Sequence, residues 1–219
     1  MPPKKSASFV AAMEDVLAVC QRPVDPQRPL VCLDEFAKQL LSETRVPRPL
    51  LPGKVAQYDS EYVREGSVTA FMLAIPHLGQ REVFVSEGGR RTAIDFAKCL
   101  DHLSELLPEA QKNLVVMDNL NTRSEASLYK AFTPEKARAL CERFEFHFTP
   151  THDSWLNMAE IEIGLLARGC LNRRIESIDR MCQEMEAFLK SRNANPVPIK
   201  WQFTHQDARI KLHSIYPSI

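Results

Sequence analysis

The chain has 219 residues, enough for one domain with a sizeable buried core. Lys plus Arg number 28 and Asp plus Glu 28, so no net field recruits a charged partner and any nucleic-acid contact must come from a local patch. With 44% hydrophobic and 26% charged residues it reads as an ordinary globular protein, and no apolar run approaches a membrane span.

The opening "MPPKKSASFVAAMEDVLAVC" is broken by Glu14 and Asp15 and predicts an amphipathic helix over 6–20 rather than a signal peptide. "RPVDPQRP" (22–29) ends that helix and acts as a linker. "LVCLDE" (30–35) is a compact strand ending in acids. Residues 42–66, with three prolines and many charges, read as a long irregular insertion. "SVTAFMLAI" (67–75) and "REVFVSE" (81–87) flank "PHLGQ" and predict a hairpin. Gly88-Gly89 is a turn, with nothing around it to make a phosphate loop.

An amphipathic helix follows over 91–108, stopped by Pro108, and then the strand "NLVVMDN" (113–119). A helical stretch covers 124–143 with Pro134 at its start, and "FEFHFTP" (144–150) is the next strand. Helices over 154–170 and 177–193 and a packed tail (201–217) complete the chain. A hairpin followed by strands alternating with helices implies an α/β fold: a mixed sheet with helices on its faces. The six cysteines show no C-x-x-C spacing and the six histidines no ligand pair, which predicts reduced, mostly buried thiols and no zinc site.

Two short apolar strands end in acids, Asp34 after Leu30–Leu33 and Asp118 after Leu114–Met117. Parallel strands end at one edge, where ligands bind, so neighbouring strands would bring these two carboxylates together. Side chains alternate along a strand, so Asp34 and Glu35 cannot both face that place. A third acid comes from "PTHDSWLNMAEIEIGLLARG" (150–169), where Ser154 is placed as an N-cap. Leu156, Ala159, Ile163, Leu166 and Cys170 fall within about 80° of one helix face. Glu160 and Glu162 lie on opposite edges of that stripe, about 160° apart, so only one can point into a given pocket. Asn157 and the small Gly164 flank Glu160, which selects it, while Glu162 is expected to pair with a cation at the surface. Three carboxylates of this kind form a hard-oxygen site suited to Mg²⁺ or Mn²⁺, and a pair of such ions can serve in-line phosphoryl transfer.

Other residues carry weaker signals. Trp155 reads as core or as a helix-entry staple, and His147 as structural. His152 lies on a loop from which it could reach a DNA phosphate. Arg90-Arg91 and Arg173-Arg174 are either solvated faces or contacts to a DNA backbone.

The stretches "VCLDE", "VVMDNLNTR", "FHFTPTHDSWLNMAEIE" and "WQFTHQDARIKL" resemble the catalytic domain of bacterial insertion-sequence transposases of the mariner-like superfamily, over about residues 10–217. The resemblance implies an RNase H-like fold with Asp34, Asp118 and Glu160 as the metal-binding catalytic triad, served by Mg²⁺ or Mn²⁺, two ions in all. Asn119, Ser154, Trp155 and Asn157 match the motifs that shape such a site, with Arg123 and His152 as further DNA-contacting positions. The implied reaction is DNA strand cleavage at element ends by activated water, then attack of the freed 3′-hydroxyl on target DNA. The implied partners are element-end and target DNA and a second subunit in synapsis, in the cytoplasm of a bacterium. Two departures stand out. Arg123 takes the place of the usual histidine, and no helix-turn-helix precedes the domain, so residues 1–29 read as the remnant of a connection and 30–219 as the catalytic domain. Two alternatives stay open: an RNase H-like nuclease or resolvase using the same acids, and a truncated non-catalytic domain that binds DNA or full-length subunits.

Overall fold

The apolar run that begins at Leu30 does not stop at its acids. In the computed structural model, which describes residues 6–45, 52–53, 60–119, 124–150 and 154–217, it continues as the 14-residue strand β1, Leu30–Glu43. Its partner β2, Tyr62–Ile75, is equally long and antiparallel, with pairs from Cys32 opposite Ala74 to Glu43 opposite Tyr62. The ends of the expected irregular insertion (42–66) are therefore strand. Exposed polar residues such as Arg64, Glu65 and Ser67 extend the ladder through backbone pairing and a Ser42 hydroxyl that donates to Glu65 at 2.6 Å, which hydrophobic patterning does not register. The register slips between Leu40 and Leu41, where Gly66 takes a φ of 117°, a conformation that suits only glycine.

β2 turns through a short 3₁₀ segment, Pro76–Leu78, into β3, Gln80–Val85, as the predicted hairpin. Gly79 closes that turn at φ 61°, and a Cβ there would lie 2.4 Å from the backbone of Val197. β4, Asn113–Asp118, and β5, Phe144–Thr149, add in parallel on the other side of β1. The five-stranded order is β3-β2-β1-β4-β5, mixed as expected.

Strand alternation divides the core in two. Cys32, Met72, Ala74 and Val116 point to one face, against α1 (Ala7–Cys20), α5 (Ala159–Leu166), α6 (Ile178–Ala194) and α7 (His205–Lys211). Val31, Leu33, Leu73, Val115 and Met117 point to the other, against α2 (Ala93–Leu106), α3 (Ala126–Ala131) and α4 (Pro134–Glu142). Met13, Val16 and Leu17 of α1 are fully buried, so that helix belongs to the first core rather than lying outside it. The predicted helix over 124–143 is two helices. Thr133 caps α4 through a hydrogen bond from the Lys136 N–H, and Pro134 opens that helix because a proline cannot continue the one before. α2 carries a complete capping box between Thr92 and Asp95.

Candidate active site

The parallel pairing of β1 with β4 runs through Cys32 opposite Val116. Two residues further along each strand come Asp34 and Asp118, at one edge of the sheet. Each has the parity of Cys32 and Val116, so both point to the face that carries α5. Glu35, one residue out of phase, turns to the opposite side, where its carboxylate lies 3.7 Å from the Arg91 guanidinium. The alternation expected between Asp34 and Glu35 is therefore observed.

The entry to α5 differs from expectation. Ser154 caps nothing of α5: it starts a 3₁₀ turn, Ser154–Leu156, and the helix begins at Ala159. Asn157 performs the capping work, accepting the Ala159 N–H at 3.1 Å through its side-chain oxygen. Its amide nitrogen donates to the Leu33 carbonyl at 2.8 Å and to the Asp34 carboxylate at 3.3 Å. Asn157 is only 1% exposed, so one buried amide ties β1 at Leu33 and Asp34 to the start of α5 and orients Asp34. Asp34, itself buried, also accepts the Glu35 N–H at 2.8 Å.

Glu160 is exposed on the first turn of α5, and its charge is felt at Asp118. Burial raises the Asp118 carboxyl above its ordinary value; nearby Arg91 opposes the shift and Glu160 adds to it. Glu162 was expected to meet a cation at the surface, and the correction concerns depth. It is 3% exposed and faces the buried Arg81, with Arg81 Nη2 donating to Oε1 at 3.1 Å and Nε 3.0 Å from Oε2 but out of line for a hydrogen bond. Arg192 reaches the same carboxylate at 3.6 Å. The room expected beside Gly164 is taken up as well, since a Cβ there would lie 3.5 Å from the Arg168 guanidinium.

Asp34, Asp118 and Asn157 are thus gathered at one edge, with Glu160 beside them. Among the described residues no three histidine, cysteine or carboxylate side chains lie close enough to enclose a metal ion as they stand. The donor set is nonetheless all oxygen, two of its members desolvated, which matches a hard divalent cation and no softer one. Asn119 and Ser154 are exposed nearby, and Trp155 is 44% exposed, not core. Arg123 and His152 lie outside the described residues.

His147 is structural, buried between Asp15 at 2.7 Å and Glu145 at 3.2 Å. Arg173 pairs with Glu184, and Arg174 with Glu43, so both are engaged within the fold. Lys38 stands out only in the fold. It donates to the Leu171 and Arg173 carbonyls at 2.5 and 2.8 Å, holding the end of the π-helical turn Ala167–Leu171 that follows α5. Nothing local in the sequence marks Lys38, because its partners are distant along the chain. The six cysteines are all free thiols, and burial pushes that of Cys20 up to about 12.

No curated protein matches this sequence. Among solved structures, the Mos1 mariner paired-end complex with Mn superposes at a TM-score of 0.54, with 14% identity over 98% of this chain and 61% of that one. The Mos1 transposase paired-end complex with the left transposon end gives 0.54 and 15% over 98% and 63%. The Mos1 strand transfer complex gives 0.51 and 13% over 97% and 63%. At such identities the likeness is one of fold, and this chain spans under two thirds of the length of those chains. The sequence profile of the DDE superfamily endonucleases matches residues 29–182, which run from the start of β1 through the acid-bearing strands and α5 into α6. With that match across all five strands and the three elements that bear the acids, the chain belongs to the DDE superfamily of endonucleases.

Proposed function

We propose that this chain is the catalytic domain of a DNA transposase of the bacterial insertion-sequence type, cleaving element ends and joining them to target DNA. The observation that carries this reading is the pairing of Asp34 and Asp118 on one edge and one face of the sheet, with Asn157 fastening the Glu160 helix to it. Asp34, Asp118 and Glu160 would hold Mg²⁺ or Mn²⁺, two ions on this reading. Such ions, when bound, supply an activated water and neutralise charge on the transferring phosphoryl group.

The protein's own contribution is position and charge. Asn157 fixes Asp34 from the side, and Asp118, whose carboxyl burial raises, would be stabilised in its charged form by a bound cation. Arg91, exposed near Asp118, would take a non-bridging phosphate oxygen, and Arg168, exposed over Gly164 of α5, would meet the DNA backbone further along. The partners are element-end and target DNA, a second copy of the chain in synapsis, and a helix-turn-helix domain that reads the end sequence. Paired-end and strand-transfer assemblies of Mos1 with a shared fold support this. Residues 30–219 form the catalytic domain on this reading, with 1–29 leading in.

The test is Mn²⁺ and Mg²⁺ binding by calorimetry together with nicking of supercoiled plasmid, wild type against Glu160→Gln. Wild type should bind and nick, and the variant should lose nicking by at least about 100-fold with weaker metal binding. Equal metal binding by the variant removes Glu160 from the site. Nicking without joining of a pre-cut 3′ end to plasmid would favour the nuclease or resolvase reading instead.

A further inference from the structure

The turn that leads into α5 is buried almost throughout, Leu156, Asn157, Met158 and Ala159 being at most 1% exposed, yet Trp155 leaves 44% of its surface to solvent. A large aromatic left half out of the core forgoes much of the burial its side chain could contribute. The indole is nevertheless held in place. It meets Phe203 edge to face, with ring centroids 5.7 Å apart and planes at 72°, and Phe203 packs against the α5-side core. The Lys211 ammonium lies 5.5 Å from the Phe203 centroid, which puts a cation beside the pair.

Backbone bonds chain this turn to the acids. The Asn157 N–H donates to the Ser154 carbonyl at 2.8 Å, and the Glu160 N–H to the Asn157 carbonyl at 3.1 Å. Trp155 is therefore rigidly coupled to the residue that orients Asp34 and to Glu160 one turn on. A held, half-exposed aromatic with a cation beside it suits an unstacked nucleobase and its phosphate. A protein partner would want a broader apolar patch, whereas Trp155 adjoins the exposed Ser154 and its ring partner Phe203 carries the Lys211 cation. A phosphodiester drawn into a pocket at a sheet edge also strains the stacking of the base attached to it.

Resting on the DNA-processing reading above, we infer that Trp155, backed by Phe203 and flanked by Lys211, is a stacking platform for an unpaired base beside the scissile phosphate.

The test needs no metal, so it is independent of the acids. The chain has two tryptophans, so Trp201→Phe leaves Trp155 as the sole reporter. Single-stranded oligothymidylate should quench its fluorescence, and a blunt duplex of equal length should do so far less. In the wild-type background, anisotropy of labelled oligothymidylate should show Trp155→Ala binding about 10-fold more weakly, with Trp155→Phe close to wild type. The thermal melts of both variants should match wild type. Unchanged binding by Trp155→Ala, or equal quenching by duplex, overturns the platform. If nicking still depends on Glu160 in that case, the enzyme reading stands alone; if quenching holds without nicking, the platform survives and the enzyme reading fails.

Discussion

Asp118 shows how one residue can be costly to the fold and suited to its chemistry. Burial raises its carboxyl, so the folded chain holds a proton that the unfolded chain would release more readily, and its charged form costs stability. For a carboxyl raised in the folded state the cost is fully present above the folded value and disappears below the ordinary 3.8. Asp118→Asn should therefore stabilise the metal-free protein at pH 7 by about 0.5 kcal/mol, allowing for its half-exposure, and the gain should vanish below about pH 4. Chemical denaturation of both proteins across that range checks it, with nicking lost in the variant. Arg81 and Glu162 are the opposite case, an ion pair with side chains 1% and 3% exposed. Glu162→Ala leaves a buried guanidinium short of its partner and should cost about 3–5 kcal/mol. The double variant Arg81→Met with Glu162→Leu should recover most of that loss in urea melts, which a simple sum of two lost contacts would not allow.

At the scale of elements, α1 illustrates how helices at the two ends of the chain are joined. Its Glu14 receives Arg209 Nε and Nη2 of α7, each at 2.8 Å, and the Tyr216 hydroxyl at 2.9 Å. The Arg209 hydrogen bonds hold the Glu14 carboxyl below its ordinary 4.5, partly against desolvation. A depressed carboxylate contributes stability above its unfolded value and loses it as pH falls through the folded one. Glu14→Gln should thus lower Tm by roughly 2 °C at pH 7, with the difference from wild type shrinking below about pH 4.5 and then closing. α5 makes a different point. Its apolar stripe is where periodicity places it, but its start is set by Asn157 rather than Ser154, because only Asn157 can reach both Ala159 and β1 at Leu33.

For the whole molecule, equal numbers of acids and bases leave DNA affinity to local groups. Arg91 is exposed near Asp118 and Arg168 is exposed over Gly164 of α5, whereas Arg173 and Arg174 are committed to Glu184 and Glu43. Replacing Arg91 or Arg168 with Ala should flatten the slope of log affinity against log salt by about one unit each. Arg173→Ala, measured alongside, should leave the slope unchanged. The same folding that spends some cations internally leaves others at the site, and that partition is a property of the tertiary structure. Among the described residues no helix is long and apolar enough to cross a membrane.

The mixed sheet, the hairpin and the apolar runs that carry Asp34 and Asp118 were legible in the residue order. All of these rest on local periodicity, which a strand of period two or a helix of 3.6 writes directly into the residue order. The polar halves of β1 and β2, the break at Thr133 and the origin of α5 were decided by pairing and capping, to which apolar patterning is blind. The burial of Glu162, the placement of Arg168 over Gly164 and the exposure of Trp155 belong to tertiary structure alone. Each depends on what a distant segment brings alongside: Arg81 from 81 residues away meets Glu162, and Phe203 meets Trp155 only once the tail has packed. Side chains report their own preferences to the sequence reader, but the dielectric and the partner they meet are supplied by the fold.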